Sequence, residues 1–162
     1  MIKIYLAAPI VDIPPIWRKK IEDVKRWCRS DEELECYFPD ENGVPNAWGM
    51  SMNEWAHCIF TMDVVAIDKA DWVIVCDFGR KNTAGTSWEA GYAFGKNKKI
   101  LIIYMNEDDN DYSVMLNGCS SNAVSFYDLA DQPTISPYLY ERGKIINNNM
   151  KFNQGGFNCA ST

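Results

Sequence analysis

Two runs of almost uninterrupted apolar residues, Trp72 to Cys76 (WVIVC) and Lys99 to Met105 (KILIIYM), constrain this chain more than any other feature. A strand with one wet face alternates apolar and polar residues, whereas an unbroken apolar strand must be covered on both faces. Sheets covered on both faces are built from parallel strands joined by crossover helices. The rest of the sequence supplies the parts. Ile2 to Ala8 is a further apolar run ending at Pro9, and Leu34 to Phe38 reads as a short second strand. Ala123 to Tyr127 reads as a fifth. Between them, Pro14 and Pro15 open a helical stretch to Arg29, with Trp17, Ile21, Val24 and Trp27 at helical spacing. Asn53 to Lys69 carries Trp55, Ile59, Met62, Val65 and Ala66 on what reads as one buried helical face.

Right-handed crossovers then give a single-domain α/β fold: a flavodoxin-like open parallel five-stranded sheet with helices on both faces. Such sheets bind ligands beyond the carboxyl ends of their strands, here the loops after Ala8, Phe38, Asp77 and Met105. Residues 1–130 are expected to form this domain. Residues 131–162, polar and rich in asparagine, are expected to be a partly irregular extension packed on it.

Charge and cysteine usage narrow the chemistry. The 162 residues hold 16 basic and 22 acidic side chains, a formal net charge of -6, which is the wrong sign for gripping a phosphate backbone. A small molecule is therefore expected as partner, and nucleic acid is not. The six cysteines form no C-x-x-C pair and His57 is the single histidine, which argues against a zinc centre or a Ser-His-Asp triad. Cys76, within a buried strand, is expected to be a core residue. No run reaches the length of a membrane span, and Met1 leads straight into a strand, so no membrane partner and a cytoplasmic location are expected.

The segment Asp77 to Gly95, DFGRKNTAGTSWEAGYAFG, is the densest in candidate chemistry: a strand end, a small-residue loop and a helix start. Glu89 is expected in the first turn of that helix. Thr86-Ser87-Trp88-Glu89 fits a capping box, in which hydroxyl and carboxylate satisfy backbone donors. The position also suits chemistry, because a helix N-terminus at the mouth of a parallel sheet favours an ionised carboxylate, the group that attack on an anomeric carbon requires. Asp63, on a mostly apolar helical stretch, is a second carboxylate, for which a solvated face is the plainer alternative.

The runs IYLAAP at Ile4 to Pro9, YFPDEN at Tyr37 to Asn42, Asp63 followed by Ile67, AGTSWEAGYA at Ala84 to Ala93 and SSNAV at Ser120 to Val124 together resemble the nucleoside 2-deoxyribosyltransferases. The resemblance implies exchange of the base of a 2'-deoxynucleoside by double displacement through a covalent deoxyribosyl-glutamate. Glu89 is then the nucleophile, Tyr5 the residue that orients it, and Asp63 the aspartate that contacts the substrate and helps proton transfer. Asn122 would bind the sugar in a neighbouring subunit's site, within a homo-oligomer, a dimer or a hexamer built from dimers. No cofactor and no metal are implied. Where family members often carry an aspartate six residues before the nucleophile, this chain has Thr83, with Asn82 beside it and Asp77 further back. Those three residues, with Gly85 and Pro9, are the remaining candidates for substrate contact, and they leave the base-recognising group open. Two alternatives stand beside this reading. One is a hydrolase cleaving deoxynucleoside 5'-monophosphates, although the loop Pro9 to Pro15 has no Ser, Gly or Arg for a phosphate. The other is a non-catalytic nucleotide-binding domain in which Glu89 only caps a helix.

Overall fold

The computed structural model describes residues 1–81, 83–107 and 111–140. Five strands, β1 (Ile2–Ala7), β2 (Leu34–Tyr37), β3 (Trp72–Asp77), β4 (Lys99–Tyr104) and β5 (Asn122–Ser125), form one sheet in the order β2-β1-β3-β4-β5. Every neighbouring pair is parallel, with Tyr5 opposite Tyr37 on one side and Val73 on the other. The flavodoxin-like sheet expected from the unbroken apolar runs is the one found.

Six α-helices cover the sheet: α1 (Pro15–Arg29), α2 (Met52–Lys69), α3 (Ala84–Gly95), α4 (Val114–Cys119), α5 (Phe126–Ala130) and α6 (Pro137–Tyr140). Alternation along the strands sorts the core into two layers. Leu6, Ile74, Leu101 and Val124 face Val24 and Trp27 of α1, Phe126 and Leu129 of α5, and Tyr138 of α6. Tyr5, Val73, Val75, Ile100 and Ile102 face the other way, onto Ile67 of α2, Ala90 and Ala93 of α3, and Leu116 of α4. Cys76 is fully buried in the first layer. The strand expected over Ala123 to Tyr127 ends at Ser125, because the Ser125 hydroxyl accepts from the Tyr127 N–H and caps α5. Of the expected extension, residues 131–140 pack on the first layer through Ile135, Tyr138 and Leu139, and residues 141–162 lie outside the described residues.

The two layers are unequal. Small side chains, Ala90 and Ala93, let α3 lie close to the sheet, whereas α2 buries only Ile67 fully. Trp55 and Val65, expected on the buried face of α2, are 41% and 44% exposed. Trp55 turns with Ile59 toward a cleft and not into the core, Val65 lies outside that cleft, and Ala66 of the same helix packs against the core. Between β2 and α2, two short 3-10 turns, Pro39–Glu41 and Ala47–Gly49, break up the expected long loop. Asp40 and Glu41 of the first turn ion-pair with Lys25 of α1, at 2.5 and 3.3 Å. Among the described residues, no helix is long and apolar enough to cross a membrane.

Candidate active site

Tyr5, Asp63 and Glu89 come from three elements, β1, α2 and α3, and converge beneath a cleft between the two helices. The cleft has a volume of about 460 Å³. From α2 it is lined by Trp55, Ala56, Ile59, Phe60 and Asp63, and from α3 by Ala84, Gly85, Trp88 and Glu89. The i, i+4 spacing of residues 55, 59 and 63 sets them on one stripe of α2, so Asp63 occupies one end of a mostly apolar wall.

The Tyr5 hydroxyl donates to Glu89 Oε1 at 2.9 Å, joining residues 84 apart in the chain. Tyr5 is itself fully buried and stacks on Tyr37, with ring centroids 5.7 Å apart. Burial raises the Tyr5 phenol far above its ordinary value, and the Glu89 and Asp63 carboxylates reinforce the effect. Tyr5 is therefore a fixed donor, never a base, at any working pH.

Burial also dominates at Glu89. It lifts the carboxyl from 4.5 to about 8, against the hydrogen bond from Tyr5, which lowers it, and with the help of Asp63, whose charge raises it. Asp63 moves in the same direction, upward, again through burial and against the Tyr5 hydroxyl. Two carboxyls of raised affinity for protons in one mostly apolar cleft are suited to acid-base work.

This corrects the expectation of an ionised glutamate in the first helical turn. α3 begins at Ala84, its N-cap is Thr83, and Thr83 Oγ1 accepts from the Thr86 N–H. Glu89 thus lies in the second turn, beyond the positions where a helix end favours an anion. The capping-box alternative fails with it, because the Glu89 carboxylate is bonded to Tyr5 on another element and the cap is made by Thr83. A true capping box does occur in the chain, at Ser51 and Glu54 of α2.

The other candidates divide. Gly85 lines the cleft. Thr83 serves as the α3 cap and pairs with the Thr86 hydroxyl at 3.0 Å. Asp77 is buried and holds the chain together: Oδ1 accepts from the Gly79 N–H at 2.8 Å and Oδ2 from the Ser113 N–H at 3.0 Å. Gly79 there adopts a φ of 69°, and a Cβ would lie 2.4 Å from Asp111 Oδ1. Asp77 therefore shapes the turn after β3 and does not line the cleft. Pro9 lines a separate cavity of about 20 Å³ beside α1, with Arg18, Glu22, Lys25 and Asp40. Asn122, expected to reach a neighbouring subunit, is turned inward. It is 3% exposed, its Nδ2 donates to the Tyr138 carbonyl at 2.8 Å, and its Oδ1 accepts from the Ala123 N–H at 2.9 Å. Its amide ties α6 to β5. Asn82 lies outside the described residues.

The sequence reading missed Trp88 and Phe60, whose rings meet at 5.1 Å in the cleft. Their signal was present: aromatic residues off the stripe assigned to the core, one of them adjacent to Glu89. Among the described residues no cluster of His, Cys, Asp and Glu could hold a metal ion.

Comparison with known proteins settles the family. The family model described as nucleoside 2-deoxyribosyltransferase matches residues 4–124, a span that contains Tyr5, Asp63 and Glu89. The chain belongs to the nucleoside 2-deoxyribosyltransferase family. Among solved structures, a 2-deoxyribosyltransferase from Bacillus psychrosaccharolyticus is 23% identical, with a TM-score of 0.64 over 80% of this chain and 91% of that one. A conserved protein from Enterococcus faecalis V583 is 19% identical, with a TM-score of 0.62 over 82% of this chain and 97% of its own. The Clostridium botulinum CMP N-glycosidase BcmB is 22% identical, with a TM-score of 0.50 over 76% and 85%. At these identities the likeness is one of fold. No curated protein matches in sequence.

If Tyr5 positions Glu89 through its hydroxyl, Tyr5→Phe should lower kcat/KM by about ten- to a hundredfold, the worth of one hydrogen bond to a charged group. It should also displace the acidic limb of the pH profile upward, because the hydrogen bond is what holds the Glu89 carboxyl down. A pH-rate profile of the variant checks both. A lower plateau with an unmoved limb would assign Tyr5 to packing alone.

Proposed function

We propose that this member of the family is a nucleoside 2-deoxyribosyltransferase, exchanging the nucleobase of 2'-deoxynucleosides by double displacement through a deoxyribosyl-Glu89 intermediate. The observation that carries the proposal is the convergence of Glu89, its hydroxyl donor Tyr5 and the second carboxyl Asp63 on one cleft. Ionised Glu89 attacks C1', the N-glycosidic bond breaks, and a proton from Asp63 assists departure of the base. A second base then attacks C1' from the face the first one left, gives its N–H proton back to Asp63, and Glu89 is released. Because burial lifts the Glu89 carboxyl to about 8, the nucleophile is ionised only once that proton has left Glu89. The reaction needs no metal or organic cofactor, since the nucleophile and the acid are both side chains. The Met52, Val65 and Phe94 side chains, exposed on α2 and α3, support assembly into a homo-oligomer, a dimer or a hexamer built from dimers, that covers them.

A hydrolase acting on nucleoside monophosphates is the second reading, and the fold likeness to a CMP N-glycosidase favours keeping it. The cleft argues against it. The described residues lining it include two carboxylates and no cation, while Arg18 and Lys25 line the separate cavity beside α1. A 5'-phosphate there would meet no cation among the described lining residues.

The test is to incubate the protein with a 2'-deoxynucleoside and a different free base and to separate the products by chromatography. The proposal predicts the swapped deoxynucleoside, with much slower turnover of ribonucleosides, whose 2'-hydroxyl destabilises positive charge at C1'. Free sugar and base as the only products, even with excess acceptor, would overturn it in favour of hydrolysis.

A further inference from the structure

The cleft holds more aromatic surface than its carboxyls need. Trp88 is 43% exposed, Trp55 41% and Phe60 50%, and all three line it. Leaving such rings in water costs the hydrophobic gain of their burial, so an exposed aromatic cluster at the mouth of a site calls for an occupant. Trp88 is also held in place. Its ring stacks on Tyr92 at 5.3 Å with an interplanar angle of 11°, and packs tilted against Phe60. Tyr92 is fixed in turn, because its hydroxyl donates to Asp68 Oδ1 at 3.0 Å and the Lys96 ammonium sits over its ring. A ring braced in this way loses little freedom when a flat ligand stacks on it.

The helix supplies the distances. At a rise of about 1.5 Å per residue, Phe60 lies roughly 5 Å and Trp55 roughly 12 Å along α2 from Asp63. The cleft runs from Asp63 past Phe60, whose ring meets Trp88, to Trp55, so a base carried by a sugar whose C1' faces Glu89 has room beside those rings. We infer that Trp88, braced by Tyr92 and flanked by Phe60, is the stacking platform for the nucleobase, and that this platform, by ring area, sets which bases the enzyme prefers. This rests on the transferase reading above and deepens it. Of the described residues lining the cleft, the polar ones are the two carboxyls that serve the sugar and the leaving group. Recognition by the π-face is tolerant of base identity and graded by stacking surface.

The experiment measures exchange with a series of acceptor bases, purine and pyrimidine, for the parent protein, Trp88→Ala and Trp88→Phe, with the sedimentation behaviour of each. For Trp88→Ala the expected result is a rise in acceptor KM of roughly ten- to a hundredfold, falling on KM more than on kcat and largest for the bicyclic bases. Trp88→Phe should recover most of it. An unchanged order of base preference in a Trp88→Ala protein that still exchanges bases would overturn the inference while leaving the transferase reading intact. So would a loss that follows dissociation of subunits, which would make the cluster an interface between copies. Absence of exchange in the parent protein would instead remove the transferase reading. Calorimetric titration of free adenine into the parent and Trp88→Ala proteins then decides the platform independently: weaker binding to the variant upholds it, and equal binding rejects it.

Discussion

Glu89→Gln is expected to reduce base exchange by roughly 10⁴-fold or more, the scale seen when a covalent nucleophile is removed, while making the protein more stable at alkaline pH. The glutamine carbonyl can still accept from the Tyr5 hydroxyl, so the local packing is preserved and the loss is chemical. The gain in stability follows from burial. In the unfolded chain Glu89 ionises near 4.5, and in the folded protein near 8. Between these values the folded protein retains a proton that the unfolded chain gives up, so the parent loses stability as pH rises through the window. The variant has no such group. Its advantage should be absent below pH 4.5, grow toward pH 8 and then level off at roughly 2–5 kcal/mol. Thermal unfolding of both proteins across that range measures it. Identical curves at every pH would show that Glu89 is not held in the apolar setting described.

Asp63→Asn is expected to cost roughly 10²- to 10⁴-fold in kcat, the range for loss of a general acid. The size of the loss should depend on the leaving base. A substrate such as N7-methyl-2'-deoxyguanosine already carries positive charge on its base and departs without protonation, so it should be nearly indifferent to the change. An unmodified deoxynucleoside should suffer in full. In the free enzyme the ionised form of Asp63 pushes the Glu89 carboxyl up, so the acidic limb of the kcat/KM profile should move to lower pH in the variant. The opposite displacement is expected for Tyr5→Phe, which makes the two variants a matched pair. Equal losses for both substrates would give Asp63 a structural or sugar-binding part and not the acid's.

The sheet was legible because burial on both faces leaves an unmistakable trace, the runs at Trp72 and Lys99, and topology follows from chain handedness. The site was legible in part. Glu89 was indicated by its place near a helix start and Asp63 by its apolar surroundings, whereas Tyr5 was indicated by the family resemblance alone, because its contact with Glu89 spans 84 residues, beyond the reach of any local pattern. Local pattern also misled where two structures share a signature. Thr86 to Glu89 and Ser51 to Glu54 both have the spacing of a capping box, and which one caps depends on where the chain enters the helix, at Thr83 in one case and Ser51 in the other. The same ambiguity affected α2. A stripe of Trp55 and Ile59 looks identical whether it faces a core or an open cleft, and only the packing of α3 decides. Asn122 and Asp77 were candidates through the family resemblance alone, and their side chains bond backbone groups of α6, of Gly79 and of Ser113.

The central claim is that a sugar rests on Glu89 between departure of one base and arrival of the next. Fluorine at C2' disfavours positive charge at C1' and slows both steps, and a reactive leaving group restores the first, so the intermediate should accumulate. Mass spectrometry of protein incubated with a 2'-fluoro-2'-deoxynucleoside bearing such a leaving group is predicted to find one added fluorodeoxyribosyl unit. It should map to the peptide containing Thr86 to Tyr92 and be absent from Glu89→Gln. An adduct on Asp63 or Asp77, or exchange with inverted configuration at C1', would contradict the account.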